Sequence, residues 1–183
     1  MSSAAAAFRA EGIPGVSVDD VMSNAGLTHG AFYAHFDSKD DLVSAAIDHS
    51  SAETVARFSK ALDALPPGDR FAGAIDAYLS PLHAAHPEVG CPVATLGPEV
   101  ARTEGKAHRE LARGIRRRLE WLRSLLPKPL QRRSKARDDE LMGTLACMIG
   151  GLILARAVGP DESDAVLEST RRFLARARAA QDR

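Results

Sequence analysis

Residues 17–36 read SVDDVMSNAGLTHGAFYAHF, and two short helical patterns meet in them at one tight turn. Ser17 precedes the apolar Val18, Val21 and Met22, with Asp20 three residues after it. That is close to a capping box, with Asp in place of the preferred Glu or Gln. Gly26 stops this helix, and Thr28 can cap a second one that runs to Phe36. Val18, Val21, Met22 and Leu27 supply one apolar face; Phe32 and Phe36, four apart, supply the facing one. The pair reads as a helix-turn-helix. With both phenylalanines turned inward, His29, Gly30, Tyr33 and His35 remain outside. Hydrogen-bond donors, a phenol and a glycine that lets the backbone approach closely suit a DNA groove lined by phosphates. Lys39 falls in the first turn of the next helix, where its ammonium and the helix N-terminus can address one phosphate.

Outward from this stretch, breakers divide the chain into helices. A first helix contains Ala4 to Ala10 and is closed by EGIPGVS, residues 11–17. A fourth starts at the cap Ser38, with Asp40 and Asp41 opposing its dipole, and runs to about Leu65 before Pro66-Pro67-Gly68. Further helices fit residues 69–85, 93–103, 105–126, 138–158 and 162–180, with Pro81 kinking or ending one of them. PKPLQRRSKARDD, residues 127–139, reads as a mobile surface loop rich in charge and proline. No useful segment alternates with period two, so no strands are predicted, and the fold class is all-α. No long internal repeat is visible.

Composition narrows the classes. Apolar residues make up 45% of 183, enough for a real core. Lys plus Arg equals Asp plus Glu at 24 each, so net charge names no partner. No apolar run approaches the ~20 residues of a membrane span, and no secretory leader pattern opens the chain. Cys91 and Cys147 give no metal-ligand spacing, and no histidine pair brackets a glutamate, so neither a metal nor a cofactor is expected. A reduced, cytoplasmic compartment is the simplest reading.

Gly12 to Leu42, GIPGVSVDDVMSNAGLTHGAFYAHFDSKDDL, resembles the helix-turn-helix of tetracycline-repressor-type (TetR family) transcription regulators. The elements occur in order and at spacing: a Gly, Ser17-Val18, Val21, Ala25-Gly26-Leu27, a polar cap, Gly30, Tyr33-Ala34-His35-Phe36, Ser38-Lys39 and Leu42. GCPVATLGPEVAR, residues 90–102, is similar to a segment of several members' ligand-binding domains. The resemblance implies an N-terminal three-helix helix-turn-helix domain over residues 1–49 and a helical ligand-binding and dimerisation domain over 50–183. It implies a homodimeric repressor on double-stranded operator DNA, released by a small, mainly apolar effector; no membrane partner and no enzymatic activity are expected. It implies that Ser17 and Thr28 cap helices at the interface, with Thr28 touching phosphate. His29, Gly30 and Ala31 would face the major groove, Tyr33 and Lys39 would hold phosphates, and His35 would lie at the groove or adjacent backbone. Two departures stand out. The family usually carries several more residues before the first helix, often basic, whereas this sequence starts almost inside it; that arm is expected to be truncated or absent. Residues 1–49 also set Arg9 and Lys39 against Glu11, Asp19, Asp20, Asp37, Asp40, Asp41 and Asp48, a net charge of minus five. DNA affinity needs phosphate neutralisation, so helix N-termini and neutral donors must supply much of it.

Two apolar helices close the chain. Leu145, Met148, Ile149 and Leu152 on one, and Val166, Thr170, Phe173 and Leu174 on the other, recur at helical spacing. Gly143, Ala146, Gly150 and Gly151 permit close approach. One small domain covers both faces poorly, and a two-fold four-helix bundle between subunits would cover them. Between the reader and these helices, Phe58, Leu62, Phe71, Tyr78, Leu82, Cys91, Thr95, His108, Ile115 and Trp121 are the candidate lining of a mostly apolar pocket, with His83 a further polar candidate. The alternatives left open are a ligand-independent or DNA-incompetent helical binding module, a Cys-dependent enzyme, and a redox role for Cys91, which would require exposure of this residue before a proline at a helix start. Arg113, Arg116, Arg117 and Arg118 read as a solvated helix face paired with Glu110 and Glu120.

Overall fold

The computed structural model describes residues 1–26 and 28–181, and for His29, Ala180 and Gln181 the backbone alone. The described residues hold ten α-helices and two 3₁₀ turns, with no strand among them. The helices are α1 Ser2–Gly15, α2 Val18–Asn24, α3 His29–Phe32, α4 Lys39–Ala61, α5 Arg70–Tyr78, α6 Pro81–Ala85, α7 Pro92–Val100, α8 Lys106–Ser124, α9 Lys135–Ala157 and α10 Pro160–Gln181. They form two compact units: residues 1–54 with 86–116, and residues 55–85 with 117–183.

In the first unit, α1 breaks where the glycine predicts. Gly12 sits at φ 79°, and a Cβ there would lie 2.7 Å from Glu99 Oε1. Glu99 Oε2 accepts the Ile13 N–H at 2.7 Å, so α7 satisfies the amide freed by the break. The capping box at α2 forms in full: Ser17 Oγ accepts from Asp20 N–H, and Ser17 N–H donates to Asp20 Oδ2, both at 3.0 Å. The core is built from Phe8, Val16, Met22, Phe32, Leu42, Ile47, Leu96 and Leu111 among others, with Phe36 packed against it. Phe32 and Phe36 stack at 5.7 Å between centroids. Burying a phenylalanine contributes roughly 1.5–3 kcal/mol, so this pair anchors the short segment that follows the turn. Leu27, expected on the same face, lies outside the described residues.

Three departures from the sequence reading appear along the chain. The helix expected from Thr28 to Phe36 is only four residues long, and 33–35 is turn, closed by amides of His35 and Phe36 on the Phe32 carbonyl. The loop expected over 127–139 is shorter: it holds a 3₁₀ turn at Lys128–Gln131 and ends at Lys135, where α9 starts, because Ser134 Oγ accepts the Arg137 N–H. By length and composition α9 is apolar enough to cross a membrane, against the expectation that no run approaches this, and 33% of its apolar window is buried. That buried part is what packs the second unit.

In that unit α9 and α10 pair along their length, with α5 and α6 against them. Leu141, Leu145, Met148, Leu152, Leu167 and Leu174 fill the seam. Gly151 lets it close: a Cβ there would meet Thr170 Cγ2 at 2.7 Å. Pro81 ends nothing by kinking; it begins α6 after α5 has stopped at Tyr78. Helix-end carbonyls are met by arginines. Arg156 donates to the His83 and Ala84 carbonyls at 2.8 and 3.1 Å, and Arg171 to Leu79 at 2.6 Å.

Candidate nucleic-acid interface

The interface candidates sit on two capped starts and one turn. Ser17 and Thr28 are exposed N-caps; Thr28 Oγ1 accepts the Ala31 N–H at 3.4 Å. Gly30 and His35 are exposed, and Ala31 is half-buried. Tyr33 is 64% exposed, its ring edge-on to Phe32 at 5.1 Å, so the buried phenylalanine fixes where the phenol points. The His29 side chain lies outside the described residues. Thr28, Gly30 and Tyr33 therefore share one exposed segment pinned from beneath by Phe32 and Phe36.

Cations contribute little here. The Lys39 ammonium, expected at a phosphate, donates to the Ile13 carbonyl at 2.6 Å and ties the start of α4 to the end of α1. Arg9 is buried and donates to the Ala5 and Gly90 carbonyls, both at 3.0 Å. Thr54 Oγ1 donates to the same Gly90 oxygen at 3.2 Å. Asp40 accepts the amides of Lys106 and Ala107, at 2.6 and 3.2 Å, and so caps α8. Asp41 pairs with the Lys106 ammonium at 2.7 Å; that hydrogen bond holds its carboxyl below the usual range and raises the lysine. The acids beside the reader are thus largely engaged in building it.

The ten pocket candidates fall in both units. Cys91, Thr95, His108 and Ile115 belong to the first unit; Phe58, Leu62, Phe71, Tyr78, Leu82 and Trp121 belong to the second. Leu82 is 72% exposed. The Thr95 hydroxyl bonds back to the Cys91 carbonyl at 3.2 Å, and exposed His108 donates to Thr103 O at 2.7 Å. Cys91 is fully buried at the cap of α7, which removes the exposure its redox reading required. A groove of about 470 Å³ does open in the second unit, lined by Ile75, Gly143, Thr144, Cys147 and Phe173, and of the ten only Phe71 reaches it.

The dimer candidates divide likewise. Leu145, Met148, Leu152 and Leu174 are buried within the single chain, where they hold α9 to α10, and are corrected to core positions. Ile149, Val166 and Thr170 are half-buried and Phe173 is exposed. Met142, which the sequence places on the apolar face of α9, is exposed, and the outward-facing apolar residues missed by the sequence reading are Leu154 and Val158. Arg118 is a further correction. It is buried, whereas Arg113 pairs with Glu110 at 3.1 Å and Arg116 and Arg117 are exposed. Its register shows why: it lies seven residues after Leu111 and four before Leu122, on the apolar stripe of α8.

An all-helical chain with a capped helix-turn-helix near its start defines a class of DNA-reading fold. Residues 1–46 match the model of the bacterial regulatory proteins of the tetR family. The match thus covers the N-terminal quarter of the chain, the stretch whose motif carries the resemblance. Over 63 residues the chain is 38% identical to the probable HTH-type transcriptional regulator ArpR of Pseudomonas putida. That stretch covers 33% of this chain and 30% of ArpR. A TetR transcriptional regulator from Chloroflexus aurantiacus superposes with a TM-score of 0.75 at 27% identity, over 95% of this chain and 89% of that one. One from Legionella pneumophila gives 0.76 at 20% identity, over 96% and 93%. FadR of Bacillus subtilis, in complex with stearoyl-CoA, gives 0.67 at 16% identity, over 92% and 95%. The all-α fold with an N-terminal helix-turn-helix extends over nearly the whole chain.

Proposed function

We propose that the chain is a ligand-responsive transcription regulator: a homodimer that binds double-stranded operator DNA and is released from it by a small effector, in the cytoplasm and without catalysis. The observation that carries this reading is the exposed segment of Thr28, Gly30 and Tyr33, fixed on the Phe32–Phe36 stack in a stretch matching the tetR-family domain. Ser17, Thr28 and Tyr33 then position the phosphate backbone, His29, Gly30 and Ala31 meet base edges, and His35 meets the adjacent backbone. Lys39 contributes through the start of α4 more than through its ammonium, which Ile13 holds. Stearoyl-CoA bound to the FadR neighbour supports a ligand role for the helical remainder. Coupling has a physical carrier, since α4 is one helix of 23 residues with Lys39 in its first turn and Phe58 in its last.

A second reading, a helical binding module with a vestigial reader, draws on one observation: Arg9 and Lys39 are both committed to carbonyls. Fluorescence anisotropy with DNA from upstream of the gene, across a salt series, separates the two. Saturable binding that exceeds scrambled DNA and weakens with salt is expected. Equal, feeble binding to both DNAs would favour the binding module.

A further inference from the structure

Four aromatic rings of the second unit gather around one charged side chain. Ring centroid to centroid, Phe58 lies 5.7 Å from Tyr78, 5.3 Å from His83 and 6.2 Å from Trp121. His83 meets Tyr78 edge-on at 4.7 Å. The Arg118 guanidinium is 6.0 Å from the Tyr78 centroid and the residue is 1% exposed. Its Nε and Nη1 have no hydrogen-bond partner among the described residues. A guanidinium taken out of water is ordinarily matched by a carboxylate and filled N–H bonds, because the desolvation cost is otherwise unrecovered. The charges acting on His83 from three helices are all of the same sign: Arg156 on α9, Arg57 on α4 and Arg118 on α8. Burial first, and then these three cations, push the imidazole down to about 4, so it adds no charge of its own at neutral pH.

A dry aromatic cluster ringed by guanidiniums favours an anion, and one that loses its water cheaply. A carboxylate carries a single charge, whereas a phosphate dianion costs more to desolvate. Phe58 is tilted 39° to Tyr78 and 31° to Trp121, and a flat aromatic ring gains from such ring contacts beyond the area it buries. Trp121 is the half-buried member, tethered by one hydrogen bond from Nε1 to Ser59 Oγ at 2.9 Å, and beside it the exposed Arg57 lies 5.2 Å over Phe58. That is the edge of the cluster nearest solvent.

We propose that this cluster is the recognition end of the effector site and that it takes a monocarboxylate carried on a flat aromatic body, with the carboxylate on Arg118. The inference rests on the ligand-responsive reading above and adds an anionic group to the small, mainly apolar effector that the sequence leads one to expect. Displacing Trp121 from Phe58 makes the room, and the charge-assisted bonds to Nε and Nη1 fill donors that the fold leaves open.

Trp121 is the single tryptophan of the chain and reports on the cluster directly. The full chain is titrated with 3-phenylpropanoate, with its uncharged amide, and with inorganic phosphate, following tryptophan emission and calorimetric heat. The acid is expected to bind at least about tenfold more tightly than the amide, the scale of a hydrogen bond to a charged group. Arg118→Gln should reduce that ratio to one and Arg118→Lys should keep part of it. Without any ligand, Arg118→Met should raise Tm, since it removes a buried charge whose bonds are unfilled. Four results overturn the proposal: equal affinity for acid and amide, phosphate binding tighter than the acid, a preference that survives Arg118→Gln, or no binding of the acid at millimolar concentration. A lower Tm in Arg118→Met counts against it too, because the guanidinium would then be a satisfied structural group. Operator release is read in parallel. Arg118-dependent binding with unchanged DNA affinity keeps this site and removes the ligand-responsive reading; release by uncharged compounds alone does the reverse.

Discussion

His83 and Tyr33 show how much a single side chain's surroundings decide. His83 is buried, its Nδ1–H donates to the Tyr78 carbonyl at 2.6 Å, and its pKa falls from 6.5 to about 4. The unfolded chain therefore takes up a proton before the folded one does. Stability is whole above pH 6.5 and is lost as the pH falls toward 4, by roughly 3 kcal/mol at most for a shift of this size. Urea unfolding at about pH 7 and about pH 4.5 measures the slope, and His83→Gln should flatten its share. A pH slope unchanged in the variant would show that the proton is taken elsewhere. Tyr33 is the opposite case, an exposed phenol whose ring is held edge-on by Phe32. If it holds phosphate, Tyr33→Phe weakens operator and scrambled DNA alike, because backbone contacts position without specifying. A change in base preference with nonspecific affinity intact would move Tyr33 into the groove.

At the scale of the element, Asp40 serves two helices. It sits in the first turn of α4, where its charge opposes the dipole, and its carboxylate also caps α8 through Lys106 and Ala107. Asp40→Ala should cost about 1 kcal/mol and speed amide exchange in the first turn of α8, while Asp40→Asn keeps most of the cap. Exchange altered only in α4 would reduce Asp40 to a dipole partner. The sequence showed the first role and could not show the second, and the same division runs through the chain. Helix starts and stops are local chemistry: Ser17, Gly26, Thr28 and Ser38 act on their own neighbours, and each of these boundaries fell near where it was read. Partners across the fold are not local. No pattern announces that Glu99 will hold the Ile13 amide, or that Arg9 and Thr54 will share the Gly90 carbonyl. Spacing told that Leu145, Met148 and Leu152 form an apolar face, but not that α10 of the same chain covers it. Arg118 was legible in principle, since it falls in register with Leu111 and Leu122, yet its charge and its arginine neighbours suggested solvent. The candidate DNA contacts were readable because one contiguous motif carries them; the aromatic cluster was not, because it draws on α4, α5, α6 and α8.

On the scale of the whole molecule, the glycines of α9 separate an inner from an outer seam. A Cβ on Gly151 would strike Thr170, but one on Gly143 or Gly150 would meet nothing within 4 Å. Those two lie on the open side with Ala146, which is exposed, and with Leu154 at 58% exposure; Phe173 on α10 is 53% exposed. An apolar face with so little side-chain bulk suits a second pair of the same helices, related by a two-fold axis. The expected assembly is a homodimer through this outer seam. Leu154→Glu combined with Phe173→Glu should give a folded monomer, whereas Leu152→Glu, at a fully buried position, should give unfolded or insoluble protein. Light scattering at tens of micromolar, with circular dichroism for helix content, reads both; a helical wild-type monomer would sink the idea. The double variant then tests the function as well. Operator recognition by a dimer needs two reading segments about 34 to 36 Å apart, one turn of B-DNA, so the monomer should lose operator affinity while keeping its helical fold. In the intact dimer an effector acts only through its differential affinity for the DNA-competent spacing, typically about 1 to 3 kcal/mol of coupling. By reciprocity, operator DNA must weaken effector binding by the same factor. Calorimetry of an effector with and without operator measures that factor in the dimer, and in the monomeric variant it should fall to one.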